Sequence, residues 1–288
     1  MSLEEIIEEV GKENVTNLLK ELKRQKFSEV EVKHVLKHLK QTNPRKYNPL
    51  KIHGRRKHIK FGIMSDLHIG HRNYRGDVLT HAAKEFEREE IDFIVNAGDT
   101  LEGMSGRDGH IYELLHLGFS EQMKALEYEF KKIKDYTVYS IEASNSHTGW
   151  YNSKGNQGVD AGAEIERRVP NYKFLGYDEQ DLIVNNLKIR LRHPGGGTAY
   201  ANSYKMQKYV ASLPGGDKPN IVVQGHFHKA LYQIIRNIHC IDAGALQDQS
   251  LFMKKKGSPS HVCYWIADVK YNKQGIEKFK VEQVPFYD

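Results

Sequence analysis

Apolar residues in the first forty positions fall in three sets at helical spacing: Ile6, Ile7 and Val10; Val15, Leu18, Leu19 and Leu22; Val32, Val35, Leu36 and Leu39. The spacing predicts three short helices. Ser28 and Glu31 have the Ser-x-x-Glu form of a capping box, in which each side chain satisfies a free amide at the start of the third helix. Past residue 44 the periodicity stops. Arg45, Lys46, Lys51, Arg55, Arg56, Lys57 and Lys60 crowd into a stretch broken by Pro44, Pro49 and Gly54, which predicts a basic linker. Beyond it the pattern alternates between strand and helix. Strands are predicted over residues 59–65, 91–97 and 136–143, with helices over 76–90 and 112–134 between them. Residues 182–184 and 187–191 flank Asn185-Asn186 as a hairpin. A helix over 199–212, a strand over 220–223 and four closing strands over 231–235, 238–241, 261–269 and 276–284 complete the chain. The βαβαβ run is the mark of layered α/β architecture, with ligands at the C-terminal strand ends. The expected division is a small helical domain over residues 1–46, the basic linker over 47–60 and the main domain over 61–288.

Composition narrows this picture. With 288 residues, 39% of them hydrophobic, the chain can bury a full core, so disorder is excluded. No apolar run approaches the roughly 20 residues of a bilayer crossing, and the acidic start lacks the form of a secretion signal. A cytoplasmic protein without a membrane partner is expected. Two cysteines, Cys240 and Cys263, are too few for a disulfide framework and lack the paired spacing of a structural zinc site. The fifteen histidines point elsewhere, because imidazole and carboxylate together suit borderline divalent metals. Charge is divided unevenly: residues 1–60 hold 15 Lys+Arg and 8 Asp+Glu, the remainder 28 and 29. The basic excess therefore belongs to the N-terminal region, which is expected to meet nucleic acid through a helix-turn-helix-like module, or else to serve as an assembly arm.

Metal-capable side chains stand where nearly every predicted strand ends. The first runs into Ser65-Asp66-Leu67-His68 and the second into Gly98-Asp99-Thr100-Leu101-Glu102. The third is followed by Ser144-Asn145-Ser146-His147. Arg192-His193-Pro194-Gly195 follows the hairpin, and Gly225-His226-Phe227-His228 the next strand. Period two on a strand aims Asp66 with His68 to one side. A glycine beside a ligand lets the backbone turn close to an ion.

This order of Asp-x-His, Gly-Asp, Asn with His, His, and Gly-His-x-His resembles the calcineurin-like metallophosphoesterase superfamily over residues 61–248. The resemblance implies a two-sheet αββα sandwich. It implies one divalent ion on Asp66, His68 and His228, a second on Asn145, His193 and His226, and Asp99 bridging them. Two such ions, about 3.5 to 4 Å apart, hold a hydroxide and clamp a phosphate. Mn is expected first, with Fe, Zn or Ni accepted by the same ligands. His147 is the expected proton donor to the leaving group.

The departure lies beside that donor. The family pattern is Gly-Asn-His-Asp or Gly-Asn-His-Glu, and here the residues are Ser144-Asn145-Ser146-His147-Thr148. Either Asn145 is the ligand and His147 follows one residue late, or His147 is in register and Ser146 replaces the amide. An amide oxygen is the better neutral ligand, which favours Asn145. Glu102 takes the acidic position of Gly-Asp-x-x-[Asp/Glu] and is expected to orient the loop. Arg107 and His110 follow in a Gly-containing loop as weaker candidates for substrate contact. Trp150, Tyr151, Tyr200 and Tyr204 are candidates for stacking on a base, or else packed aromatics. His71, His81, His116, His239 and His261 fall outside any ligand pattern.

No Gly-x-Ser-x-Gly elbow and no phosphate-binding P-loop occurs, which disfavours a serine hydrolase and an ATP-driven motor. Three functions remain. The first is a metal-dependent phosphodiesterase on nucleic acid. The second is a phosphatase or phosphodiesterase on small molecules or phosphoproteins. The third is a metal-containing binding module with weak catalysis.

Overall fold

Ile59, Phe61 and Ile63 alternate along one strand and all point into the core. They belong to β2 (His58–Met64) of a computed structural model that describes residues 49–53, 57–153 and 159–287. The helical domain expected over 1–46 lies outside the described residues. Part of the predicted linker forms strand: β1 (Leu50–Ile52) pairs in parallel with β6 (Glu179–Val184), and β2 begins at His58. β1 lies at a sheet edge, where backbone pairing needs no apolar periodicity, so the basic composition hid it.

Two six-stranded sheets stack face to face. One has the order β12 (Gly275–Pro285), β11 (Cys263–Asn272), β2, β3 (Phe93–Asn96), β4 (Val138–Glu142), β5 (Tyr172–Tyr177). The strands from β2 to β5 are parallel, while β11 and β12 close the sheet antiparallel. The other has the order β1, β6, β7 (Leu187–Arg192), β8 (Ile221–Gln224), β10 (Ile238–Ala243), β9 (Ala230–Ile235). Asn185, at φ 55°, turns the β6–β7 hairpin where the Asn-Asn pair predicts it.

Helices cover the outer faces. In α1 (Gly76–Arg88), Val78, Leu79, Ala82 and Phe86 make a single apolar stripe. That stripe packs on the first sheet together with α2 (Gly118–Phe130) and α3 (Ala161–Arg168). Met206 and Val210 of α4 (Tyr204–Ser212) pack on the second sheet. Between the sheets, Phe61, Val95, Ile189, Val223 and Ile241 form the dry middle layer. Each such side chain contributes about 1.5 to 3 kcal/mol through its burial. The architecture is thus the αββα sandwich that the resemblance implies. No helix among the described residues is long and apolar enough to cross a membrane.

One predicted helix is divided. Residues 112–134 do not run continuously: a short 3-10 turn (His110–Glu113) gives way to extended chain, and α2 starts only at Gly118. Leu114 bridges His71 and Gly118 has φ +75°, so tertiary pairing wins over helical propensity there.

Candidate metal centre

The parallel strands deliver their ligands on loops with left-handed backbone. Asp66, His68, Asp99, His147, His226 and His228 have φ of 52°, 54°, 52°, 41°, 79° and 52°. These are six of the eleven non-glycine residues with positive φ among those described; the rest sit at turns between elements. Such backbone costs about 1 to 3 kcal/mol per residue and persists only where its surroundings hold it. Here the amide of His226 donates to both carboxylate oxygens of Asp66 at 3.0 Å, and those of Asp66 and His68 donate to Gly98 and Asp99 carbonyls at 2.9 and 3.0 Å. Asp66 and His68 therefore converge through a tight loop and not through the period of a strand.

Two glycines make room. A Cβ on Gly98, at φ +103°, would stand 2.6 Å from Nδ1 of His193. A Cβ on Gly225 would stand 2.3 Å from Ser65 Oγ and 2.7 Å from Asp66 Oδ2.

Asp66, His68 and His228 bring one ligand atom each within 4.8 Å of one another, as do Asp99, His193 and His226. His68, Asp99 and His147 form a third such group linking the two. Neighbouring acceptors fix the imidazole tautomers. Nδ1 of His193 donates to the Ala97 carbonyl at 2.7 Å, and Nδ1 of His68 to Glu102 Oε2 at 2.7 Å. Ser260 Oγ gives its own proton to the Gln247 carbonyl, so it accepts from His228 Nδ1, at 3.3 Å. Each Nε2, once deprotonated, presents a lone pair inward. His68 and His228 Nε2 are 3.0 Å apart, with Asp66 Oδ1 3.8 and 3.3 Å away. Nε2 of His193 is 3.0 Å from Asp99 Oδ2, buried, and makes no hydrogen bond. Imidazole nitrogens and carboxylates crowded this closely need a proton or a cation between them, and their mix of nitrogen and oxygen donors fits divalent metal. His226 donates from Nε2 to the Gly196 carbonyl at 2.7 Å, which leaves Nδ1 as its ligand atom.

The same crowding governs ionisation. Burial opposes charge on His68, yet the Glu102 and Asp66 carboxylates beside it raise its pKa to about 10, so a metal binding at Nε2 would displace a proton. Burial likewise opposes charge on His193, and Asp99 raises it to about 9. Asp66, Asp99 and Glu102 are held below the ordinary carboxylate range despite burial: Asp66 chiefly by His228, Asp99 by His193, Glu102 by His147 and His68. His226 is pushed down to about 4 by burial and then by the charge of His193, and His228 is lowered by burial.

Six of the seven predicted ligands converge, and Asn145 does not. It is exposed, while the next residue, Ser146, sets its Oγ 3.4 Å from Asp99 Oδ1. Of the two residues, it is Ser146 and not Asn145 that stands beside Asp99. His147 donates from Nδ1 to the Glu102 carbonyl at 3.0 Å, its Nε2 is 4.0 Å from Asp99 Oδ2, and 27% of the side chain is exposed. Trp150 lies against it, ring centroids 4.5 Å apart. Tyr151 is a packed core aromatic, whereas Tyr200 and Tyr204 are exposed.

Of the two weaker substrate candidates, one turns inward and the other is held by an ion pair. His110 is buried behind the centre, donating from Nε2 to Glu102 Oε1 at 2.7 Å, because the 3-10 turn folds it inward. Arg107 is tied to Glu113 at 2.6 Å and lies over the Phe252 ring. Glu102, expected to orient its loop, accepts from His68 and His110 through its two carboxylate oxygens. Ser260, behind His228, carries no sequence signal, since a serine in a Gly-Ser-Pro-Ser loop looks like any solvated turn.

No protein-family model matches the chain, and no curated protein matches it in sequence. Several solved structures are similar to it. A novel archaeal phosphodiesterase is 12% identical over 79% of this chain and 100% of its own, with a TM-score of 0.44. A putative 5'-nucleotidase from Staphylococcus aureus is 14% identical over 80% of this chain and 55% of its own, with a TM-score of 0.45. Vps29 from Entamoeba histolytica, complexed with zinc, is 12% identical over 80% of this chain and 100% of its own, with a TM-score of 0.38.

Proposed function

We propose that this chain is a calcineurin-like metallophosphoesterase that hydrolyses phosphodiester bonds in nucleic acid. The observation that carries this reading is the pair of inward-facing constellations, Asp66/His68/His228 and Asp99/His193/His226, linked through the His68/Asp99/His147 group. Two divalent ions, Mn first and Fe, Zn or Ni as alternatives, fit these donors. When bound, they supply Lewis-acid activation of water and of the phosphate. The protein's own part is to fix the donors. Glu102, Ala97 and Ser260 hold His68, His193 and His228 in the one tautomer that points Nε2 inward. In this reading His147, anchored through Nδ1 and partly open to solvent, hands a proton from Nε2 to the departing oxygen. The basic excess of residues 1–60 supports a polyanionic substrate.

Ser146 in place of an amide favours one second reading, a metal-containing binding module with weak catalysis. One panel separates them: purified protein with Mn²⁺ on single- and double-stranded DNA, RNA, cyclic nucleotides and an aryl phosphodiester, at low and high salt, beside Asp99→Asn. Cleavage of polynucleotides that Asp99→Asn lowers by at least about 100-fold supports the phosphodiesterase. Hydrolysis of small esters alone moves the substrate to small molecules. Metal uptake without turnover supports the binding module.

A further inference from the structure

Two segments that touch the metal ligands contain no carboxylate. Residues 194–216 follow His193 and carry Lys205 and Lys208; residues 249–262 carry Lys254, Lys255 and Lys256. Both meet the turn that holds His226 and His228. Gly196 accepts from His226, and Lys205 Nζ lies 5.8 Å from the Phe227 ring centroid. From the other segment, Ser260 accepts from His228, and the Pro259 carbonyl accepts from Lys229 at 3.4 Å. Lys254, Lys255 and Lys256 are all exposed, and Lys256 Nζ lies 5.9 Å from the Phe252 ring centroid. Large rings stand out beside these cations: Tyr200 is fully exposed, Tyr204 is 50% exposed and Phe252 is 47% exposed.

Exposed rings interleaved with exposed lysines, in segments that carry no acid, suit a strand whose bases are free to stack while its phosphates meet cations. A duplex offers no free base face to Tyr200 or Phe252. We infer that these two segments form a binding surface for single-stranded nucleic acid, on either side of the His226–His228 turn. This surface is distinct from the N-terminal basic region and rests on the phosphodiesterase reading. Lysines 254 to 256 contact phosphates, and Tyr200 and Phe252 stack on bases.

The test measures anisotropy of a labelled oligothymidylate and of a duplex of equal length, across a salt series, with the full chain in an Asp99→Asn background that does not cut. The single strand is expected to bind more tightly. The combined Lys254→Ala, Lys255→Ala, Lys256→Ala variant is expected to bind about tenfold more weakly and to lower the salt slope by about 2, at roughly 0.7 per phosphate contact. Phe252→Ala and Tyr200→Ala are expected to weaken binding about fivefold or more with the slope unchanged. Placed in the otherwise unaltered chain, the same surface substitutions should leave hydrolysis of bis(p-nitrophenyl) phosphate within about twofold. Equal affinity for the duplex, unchanged binding by the variants, or capture of phosphatidylserine vesicles in place of the oligonucleotide overturns the proposal. Failure of the unaltered chain with Mn²⁺ to hydrolyse the aryl ester sinks the phosphodiesterase reading instead, and leaves the binding result to stand alone.

Discussion

Oε2 of Glu102 lies 2.7 Å from Nδ1 of His68, and neither side chain is more than 2% exposed. The same carboxylate takes His110 at 2.7 Å on its other oxygen and comes within 3.3 Å of His147 Nδ1. One buried acid thus sets the orientation of three imidazoles. Its amide is neutral and offers a single acceptor oxygen, so Glu102→Gln should weaken metal binding about 10- to 100-fold while the fold survives. Competition with a chelating dye reads the affinity, and circular dichroism reads the fold. An unchanged dissociation constant would remove Glu102 from the site.

His147 gives a prediction that depends on the leaving group. A proton donor matters for an alkoxide and hardly at all for nitrophenolate, which departs without help. His147→Ala should slow a dinucleotide or alkyl ester about 100-fold and an aryl ester less than about threefold. Equal losses on both esters would show that the ring, 4.2 Å from the ring of His68, serves only to pack.

Gly98 tests whether the close approach of the second strand end to His193 is needed. With φ at +103° and a Cβ that would meet Nδ1 of His193 at 2.6 Å, Gly98→Ala should cost about 1 to 3 kcal/mol and weaken metal binding with it. Gly106→Ala, where a Cβ meets nothing within 4 Å, should stay within about 0.5 kcal/mol. Urea denaturation of the two variants provides the comparison, and similar behaviour would argue against a sterically required glycine at position 98.

The sandwich was legible wherever one face of an element is buried over several residues. Ile59, Phe61 and Ile63 in β2 and the Val78, Leu79, Ala82, Phe86 stripe of α1 announce themselves by period. What the period could not show is short or local. Only Ala161, Gly162 and Ile165 of α3 are buried, too few for a pattern, although Asp160 caps the helix by accepting from Ala163. The extended chain between Glu113 and Gly118 is imposed by the contact of Leu114 with His71, which no local rule reports. Within the site, residue type and strand-end position single out Asp66, His68, Asp99, His193, His226 and His228, which the fold brings together. The register of Asn145 against Ser146 lies in loop dihedrals, and the inward turn of His110 depends on Glu102, eight residues earlier. Neither is written in spacing.

A buried acid away from the centre gives the pH prediction. Asp242 in β10 accepts from Gln224 Nε2 at 2.6 Å, Gln224 in turn accepts from Arg192, and Oδ2 of Asp242 has no partner. Burial raises its pKa to about 7, which the Gln224 bond and the charge of Arg192 offset only in part. An unfolded aspartate titrates near about 3.9. Between these values the folded chain holds a proton that the unfolded chain has released, so stability falls as pH rises through that window and levels off above it. Asp242→Asn keeps the acceptor for Gln224 and removes the titration. Relative to the unaltered chain it should gain on the order of 1 to 3 kcal/mol between pH 5 and pH 8. Urea melts of both proteins at the two pH values decide it: the gap must widen with pH, and a gap that stays constant or narrows would mean that Asp242 is already ionised in the folded protein.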